Sequence, residues 1–274
     1  MLPDPHFFAT VAGEAFVRIL LICPVPVEFT SCRSQLSLRD TGHVAGCRCA
    51  RAPVAGLDFV ALQSGPGKAR AAAAAAAAIA AFAPDLVVDT GTCGALDPAL
   101  VVGTVVIGRS CVEYDIAGSG LPRRIMPEMR LPSALALLPR SPMDRLLRAA
   151  VEVGRGTDHH VRHGIQACGE FFIDSPQLRD RLAALTGALA ADWESAGVFV
   201  AALRAGLPPV SIRSVSDLGD ERSLADFRRN ARRVSRELYR FLRSLAEAGW
   251  FARLHDCWRE AGISASRLAR EVLP

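Results

Sequence analysis

Five short segments of this chain carry residue types that can do chemistry together. Asp192-Trp193-Glu194-Ser195 places two carboxylates at the end of an apolar run and the start of a helical one. An acid there can cap the helix, and it can equally hold a pair of vicinal hydroxyls such as ribose presents. Ser216-Asp217-Leu218-Gly219-Asp220 follows another apolar run. Asp217 there is either an Asx turn or a general acid, the latter if its surroundings raise its pKa. Asp89-Thr90-Gly91-Thr92-Cys93-Gly94-Ala95 is a turn of small residues with two hydroxyls, suited to a sugar, a phosphate or a water. Ser64-Gly65-Pro66-Gly67-Lys68 opens an Ala-rich helix, where free amides favour an anion or polar group. It lacks the GxxxxGK[ST] spacing of a P-loop. A further carboxylate, Glu28, comes just after the first apolar run.

The elements that must position these residues alternate between two periods. Strands are expected at Arg18–Cys23, Phe59–Gln63, Leu86–Asp89, Val101–Ile107, Gly164–Ala167, Leu189–Asp192 and Pro209–Val215. Several are continuous apolar runs, as for strands covered on both faces. Helices are expected at Lys68–Phe82, Pro142–Val153, Ser175–Thr186, Ser195–Ala205 and Ser223–Ala248, with Gly187 stopping the third. This alternation predicts an α/β sandwich on a parallel or mixed sheet. Residues 31–56 and 116–141 read as loop-rich insertions, and 250–274 as a separate amphipathic segment with Trp250 and Trp258 on one stripe. The expected division is a main domain over 1–248 and a helical extension over 249–274.

Composition narrows the function classes. With 50% hydrophobic and 22% charged residues over 274 positions, the chain can bury a core and is not disordered. A net charge of +4 is too balanced to point to nucleic acid or a membrane surface. The longest apolar run, Ala71–Ala83, falls short of the ~20 residues of a transmembrane helix. The first 17 residues lack the basic start of a signal peptide. The eight spread cysteines suit reduced thiols, and Cys47-Arg48-Cys49 is too tight for a zinc pair. A cytoplasmic protein is expected. His159, His160 and His163 near Asp158 have irregular spacing and read as exposed side chains, so no metal is expected. Arg228, Arg232, Arg236 and Arg240, interleaved with Asp226, Glu237 and Glu247, read as a solvated helix face. No cofactor motif is visible.

Taken in order, Glu28, SGPGK, DTGTCGAL, CGEFFI with DWES, and RSVSDLGD followed by Phe227 resemble the purine nucleoside phosphorylase/nucleosidase superfamily. The likeness runs from about Arg18 to Leu242, and is closest to the methylthioadenosine/S-adenosylhomocysteine nucleosidases. It implies a three-layer α/β/α sandwich with a central mixed sheet, a small purine nucleoside as partner, no cofactor, and a homodimer. It also implies roles: Asp217 as the acid that protonates the leaving purine at N7, Ser216 orienting it, and Glu28 activating water. Glu194 would hold the ribose hydroxyls and Phe172 would stack on the base. Arg213 and Thr92 would lie near the water, beside Cys93 and Gly94 of the same turn. Phe227 would wall the 5′ substituent, and Tyr114 resembles a residue the family contributes across the dimer interface.

That assignment is chemically coherent. N-glycosidic cleavage develops an oxocarbenium-like sugar, so the base must be neutralised by an acid while a second carboxylate takes a proton from water. A phosphorylase needs a cationic, hydroxyl-lined anion site instead, and Glu28 would repel phosphate. The expectation is therefore hydrolysis, with a phosphate-dependent phosphorylase as the alternative, kept open by Arg213 and Lys68, and a non-catalytic nucleoside-binding relative as a third. Trp193 stands where the nucleosidases have Met, and prolines 24 and 26 precede Glu28. These departures widen the expected substrates to other 5′-modified nucleosides, futalosine-type ones included.

Overall fold

A computed structural model describes residues 16–117 and 130–263. In chain order the elements are β1 (Arg18–Cys23), α1 (Pro26–Gln35), β2 (Arg39–Val44), β3 (Cys47–Val54), β4 (Leu57–Gln63), α2 (Lys68–Phe82), β5 (Leu86–Ala95), β6 (Val105–Glu113), α3 (Tyr114–Ala117) and β7 (Arg130–Pro132). They continue as α4 (Ala134–Leu137), α5 (Arg140–Gly156), β8 (Val161–Cys168), α6 (Pro176–Thr186), β9 (Ala188–Asp192), α7 (Ser195–Arg204), β10 (Pro209–Asp217), α8 (Ser223–Glu247) and α9 (Trp250–Glu260). The signal-peptide reading of the first 17 residues, the middle of the 116–141 insertion and the end of the 250–274 segment fall largely outside the described residues.

One mixed sheet runs β10-β6-β8-β9-β5-β1-β4-β3-β2, with β7 paired to β6. β1 lies between β4 and β5, parallel to both. Its residues alternate between two cores, as the period of two requires. Leu20 and Ile22 face α2 and α7, while Ile19 and Leu21 face the core built by Phe29 of α1, Leu238 and Leu242 of α8, and Trp250 and Phe251 of α9. The result is the expected three-layer arrangement on a mixed sheet. The sheet also curls, because β5 pairs with both β10 and β9, which closes the path β5-β10-β6-β8-β9 on itself. β5 is ten residues long, so its last residues outrun β1 and offer a free edge to β9.

Four expectations are corrected. Residues 89–95, expected as a turn of small residues after a strand ending at Asp89, continue that strand to Ala95, held by pairing with β10. Residues 31–56 are not a loop insertion: they hold the end of α1 and the antiparallel hairpin β2–β3, which extends the sheet through β4. β2 is an edge strand with mostly exposed side chains, so it lacks the apolar alternation that marks a strand. The strand expected at Val101–Ile107 begins at Val105, because Val101–Thr104 is a turn closed by the Thr104 amide on the Val101 carbonyl. The 250–260 helix is not set apart: Trp250, Phe251 and Leu254 are fully buried in the main core, and the Trp250 indole N–H donates to the Leu146 carbonyl. Among the described residues, no helix is long and apolar enough to cross a membrane. All eight cysteines are free thiols.

The Ala-rich α2 has a packing reason. Its buried positions, Ala71, Ala74, Ala75, Ala78 and Phe82, fall on one helical stripe. Small side chains let α7 approach so closely that a Cβ at Gly197 would sit 2.2 Å from the Lys68 carbonyl oxygen. Gly197→Ala is expected to force these helices apart and cost about 2–3 kcal/mol of stability. Urea unfolding of the variant checks this, and an unchanged midpoint would contradict the contact.

Candidate active site

The functional segments converge where strands end. Glu28 lies just beyond β1, Thr92–Gly94 form the last part of β5, Asp192 ends β9, and Ser216 and Asp217 end β10. β9 meets β5 antiparallel only at Gly94↔Ala191 and Ala95↔Ala190, while Asp217 registers with Gly94. The carboxyl ends of three strands therefore meet at one point, the usual place for a ligand in an α/β sheet. A cavity of ≈ 330 Å³ opens there. Its wall includes Glu28, Thr92, Cys93, Gly94, Phe172, Trp193, Glu194, Arg213, Ser216, Asp217 and Phe227, so the residues singled out in sequence share one pocket. The volume is within the ~300–1,000 Å³ of small-molecule sites.

Local sequence explains how each carboxylate is held. Pro26 is the first residue of α1, where a missing N–H costs nothing. Glu28 is the third helical residue, and its Oε2 accepts from the Val25 amide at 3.1 Å. The prolines before Glu28 thus start the helix that aims it. Its Oε1 accepts from the Thr92 amide at 2.7 Å and the Thr92 hydroxyl at 2.8 Å. The approach needs bare backbone: a Cβ at Gly91 would lie 2.8 Å from Glu28 Oε1, and one at Gly94 would lie 2.9 Å from Asp217 Oδ1. Burial pushes the Glu28 pKa above its usual value, against the pull of Arg213 and the Thr92 and Val25 amides. Asp217 is likewise raised by burial, although the Ser216 hydroxyl donates to its Oδ2 at 2.8 Å. The Asn230 side-chain amide donates to the Ser216 carbonyl at 3.1 Å and ties this turn to α8.

Among the described residues Arg213 is the one guanidinium in the cavity wall, and most of its donors are already paired within the protein. Nε and Nη2 grip Asp89 at 2.8 and 2.6 Å, Nη1 donates to the Thr92 carbonyl at 2.8 Å, and Nη2 lies 3.2 Å from Glu194 Oε2. Asp89 receives the Ser211 hydroxyl as well, at 2.7 Å. Glu194 Oε1 accepts from the Gly67 amide at 2.9 Å, so the glycine turn before α2 serves this carboxylate. Burial, with Asp192 and Glu28 adding to it, raises the Glu194 pKa to about 8 despite Arg213 and the Gly67 amide. Asp192 caps α7: its Oδ1 accepts from the amides of Glu194 and Ser195, both at 2.7 Å.

Three placements differ from expectation. Lys68 is absent from the cavity wall, and its ammonium pairs with Glu113 and Asp115. Tyr114 is not turned outward toward a second subunit: it is fully buried, lines this chain's own cavity, and its hydroxyl is 2.6 Å from the Gly169 carbonyl and 2.7 Å from that of Phe171. Sequence reasoning also passed over Asp89 as a site residue. Its signal was an acid inside an otherwise apolar strand, which is costly unless a cation is paired to it. Phe172 and Trp193 meet edge to face at the pocket mouth, with ring centroids 6.3 Å apart.

Residues 18–247 match the family model described as the Phosphorylase superfamily. A 5′-methylthioadenosine/S-adenosylhomocysteine nucleosidase of Tolumonas auensis is 29% identical over 218 residues, covering 77% of this chain and 90% of that protein. The 5′-methylthioadenosine/S-adenosylhomocysteine nucleosidase of Helicobacter pylori with butyl-thio-DADMe-Immucillin-A superposes with a TM-score of 0.74 at 20% identity, over 86% of this chain and 100% of that one. The futalosine hydrolase of the same organism superposes with a TM-score of 0.73 at 20% identity, over 84% and 97%.

The raised acids make stability pH-dependent. The Glu194 carboxyl is protonated in folded and unfolded chains below its ordinary value of 4.5. Between 4.5 and about 8 the folded chain keeps a proton that the unfolded chain has released, so stability falls as pH rises through that window. Glu28, Asp89 and Asp217 shift in the same direction and add to the loss. Urea unfolding at about pH 5 and about pH 8 should show a drop in wild type that Glu194→Gln reduces, and equal drops in both would remove Glu194 from the account.

Proposed function

Because this chain belongs to the phosphorylase superfamily, we propose that it hydrolyses the N-glycosidic bond of a purine nucleoside and releases the free base. Asp217, whose pKa burial raises, donates its proton to the purine as the bond to the sugar breaks, and Ser216 orients the carboxyl. Glu28 takes a proton from the attacking water, with Thr92 fixing its Oε1. Glu194 receives the ribose hydroxyls, and Phe172 with Trp193 borders the base. Phe227, Leu224 and Val25 make an apolar wall for the 5′ substituent. A methylthioadenosine- or S-adenosylhomocysteine-like nucleoside, or another 5′-modified one, fits that division between an acidic interior and an apolar rim.

The observation that carries hydrolysis over phosphorolysis is the state of Arg213. Its guanidinium is buried among Asp89, Glu194 and Asp192, and Glu28 and Asp217 share the same small cavity. A phosphate entering there would meet acidic side chains and, among the described residues, no unpaired cation, whereas water needs only an acceptor. The rim residues Phe171, Phe172, Trp193 and Leu224 are exposed, which supports a homodimer in which a second copy covers them. A cytoplasmic location belongs to the same reading, as the free thiols suit a reducing compartment.

Chromatography of base released from methylthioadenosine, S-adenosylhomocysteine, adenosine and inosine, with and without phosphate, tests this. Release independent of phosphate is expected, and Asp217→Asn should lower it by about 10²–10⁴-fold with the fold intact. Release that requires phosphate would overturn the hydrolytic reading.

A further inference from the structure

The amino end of α2 touches two carboxylates through consecutive amides. The Gly67 amide donates to Glu194 inside the cavity, and the Lys68 amide donates to Glu170 Oε1 at 2.6 Å outside it. Glu170 belongs to the segment between β8 and α6 that carries Phe172 and Ile173 into the cavity wall. The same segment is held from its other side. The Glu170 amide donates to Asp115 Oδ2 at 3.2 Å, and the Tyr114 hydroxyl reaches the carbonyls of Gly169 and Phe171. Asp115 in turn binds the Lys68 ammonium through both oxygens, at 2.9 and 2.8 Å, and Glu113 Oε1 takes the third direction at 2.8 Å.

We propose that Lys68, Asp115 and Glu170 form a latch that positions the Phe172-bearing segment against the end of α2, and so sets the base-binding wall relative to Glu194. Lys68 is the single lysine among 32 basic residues. The chain uses Arg everywhere else, and here a compact ammonium aims its donors at three carboxylate oxygens, one of Glu113 and two of Asp115. The latch is a positioning device, since neither Lys68 nor Glu170 lines the cavity. It also links the two halves of the site, because one helix end holds the carboxylate assigned to ribose and the segment assigned to the base. Lys68, Glu113 and Asp115 keep 19–24% of their side-chain surface exposed, so salt reaches and weakens the pairing.

The link to catalysis rests on the nucleosidase reading; the latch itself does not, and the test separates them. Hydrogen exchange of the unliganded full chain is measured for wild type, Lys68→Met and Glu170→Ala. Both variants should exchange the amides of residues 169–174 about tenfold faster than wild type. Added salt near 0.5 M should speed the wild-type segment toward the variants and leave Lys68→Met nearly unchanged, roughly as screening of an ion pair requires. Unchanged exchange in both variants overturns the latch whatever the activity. Glu170→Ala leaves the Lys68 ion pairs in place and serves if Lys68→Met does not fold. With the preferred nucleoside, both variants should raise KM about tenfold with kcat within about threefold of wild type. Faster exchange with unchanged KM overturns the positioning role, while a wild type that releases no base from any nucleoside counts against the hydrolase reading alone.

Discussion

Arg213 is a fully buried cation, and the rest of the site hangs from it. Transferring a guanidinium out of water costs several kcal/mol, and four nearby acids, Asp89, Asp192, Glu194 and Glu28, would cost more if left facing each other. The two problems cancel only if the geometry is held rigidly. Parallel pairing of β10 with β5, with Ser211 opposite Asp89 and Arg213 opposite Gly91, supplies that rigidity. From Arg213 the order spreads outward through hydrogen bonds. Nη1 fixes the Thr92 carbonyl, Thr92 fixes Glu28 through its amide and hydroxyl, and Nη2 restrains Glu194. One side chain thus orients both the carboxylate assigned to water and the one assigned to ribose.

The same arrangement bears on how a member of the phosphorylase superfamily could use water in place of phosphate, as proposed for this chain. The cation is present, but Asp89 has neutralised it from below with a bidentate grip. Charge interactions are several-fold stronger in a buried site than in water, so this pairing weighs heavily in the local electrostatics. Burial then does a second task. It raises the pKa values of Asp217 and Glu28 and lifts that of Glu194 to about 8.

Close packing is what brings these groups within reach of each other. The curled sheet requires β5 to outlast β1, so that three strand ends can share one point. Gly91 and Gly94 keep the backbone bare where carboxylates press against it, and Gly197 lets α7 approach the start of α2, where Gly67 meets Glu194. One pocket thus combines a polar interior with an apolar rim of Phe172, Trp193 and Leu224.

Much of this was legible in the linear chain. Continuous apolar runs marked the buried strands, Ala periodicity marked α2 to the residue, and acids at strand ends marked the pocket, because burial pattern and turn chemistry are local properties. The edge hairpin β2–β3 was not legible, since the edge strand β2 owes its shape to hydrogen bonds with β3, itself paired to β4, rather than to its own apolar face. α1 was also missed, although Pro26 followed by Glu28 at the third helical position carried its signal. The sequence by itself determined the chemical inventory: which acids, which pocket-lining aromatic, and that their order resembles one superfamily. Only the tertiary structure decided that Arg213 is consumed by Asp89, that Lys68 latches a neighbouring segment instead of facing the cavity, and that Tyr114 points inward. Each of those outcomes depends on a partner 45 to 124 residues away, and no local pattern encodes which of several acids a cation will meet.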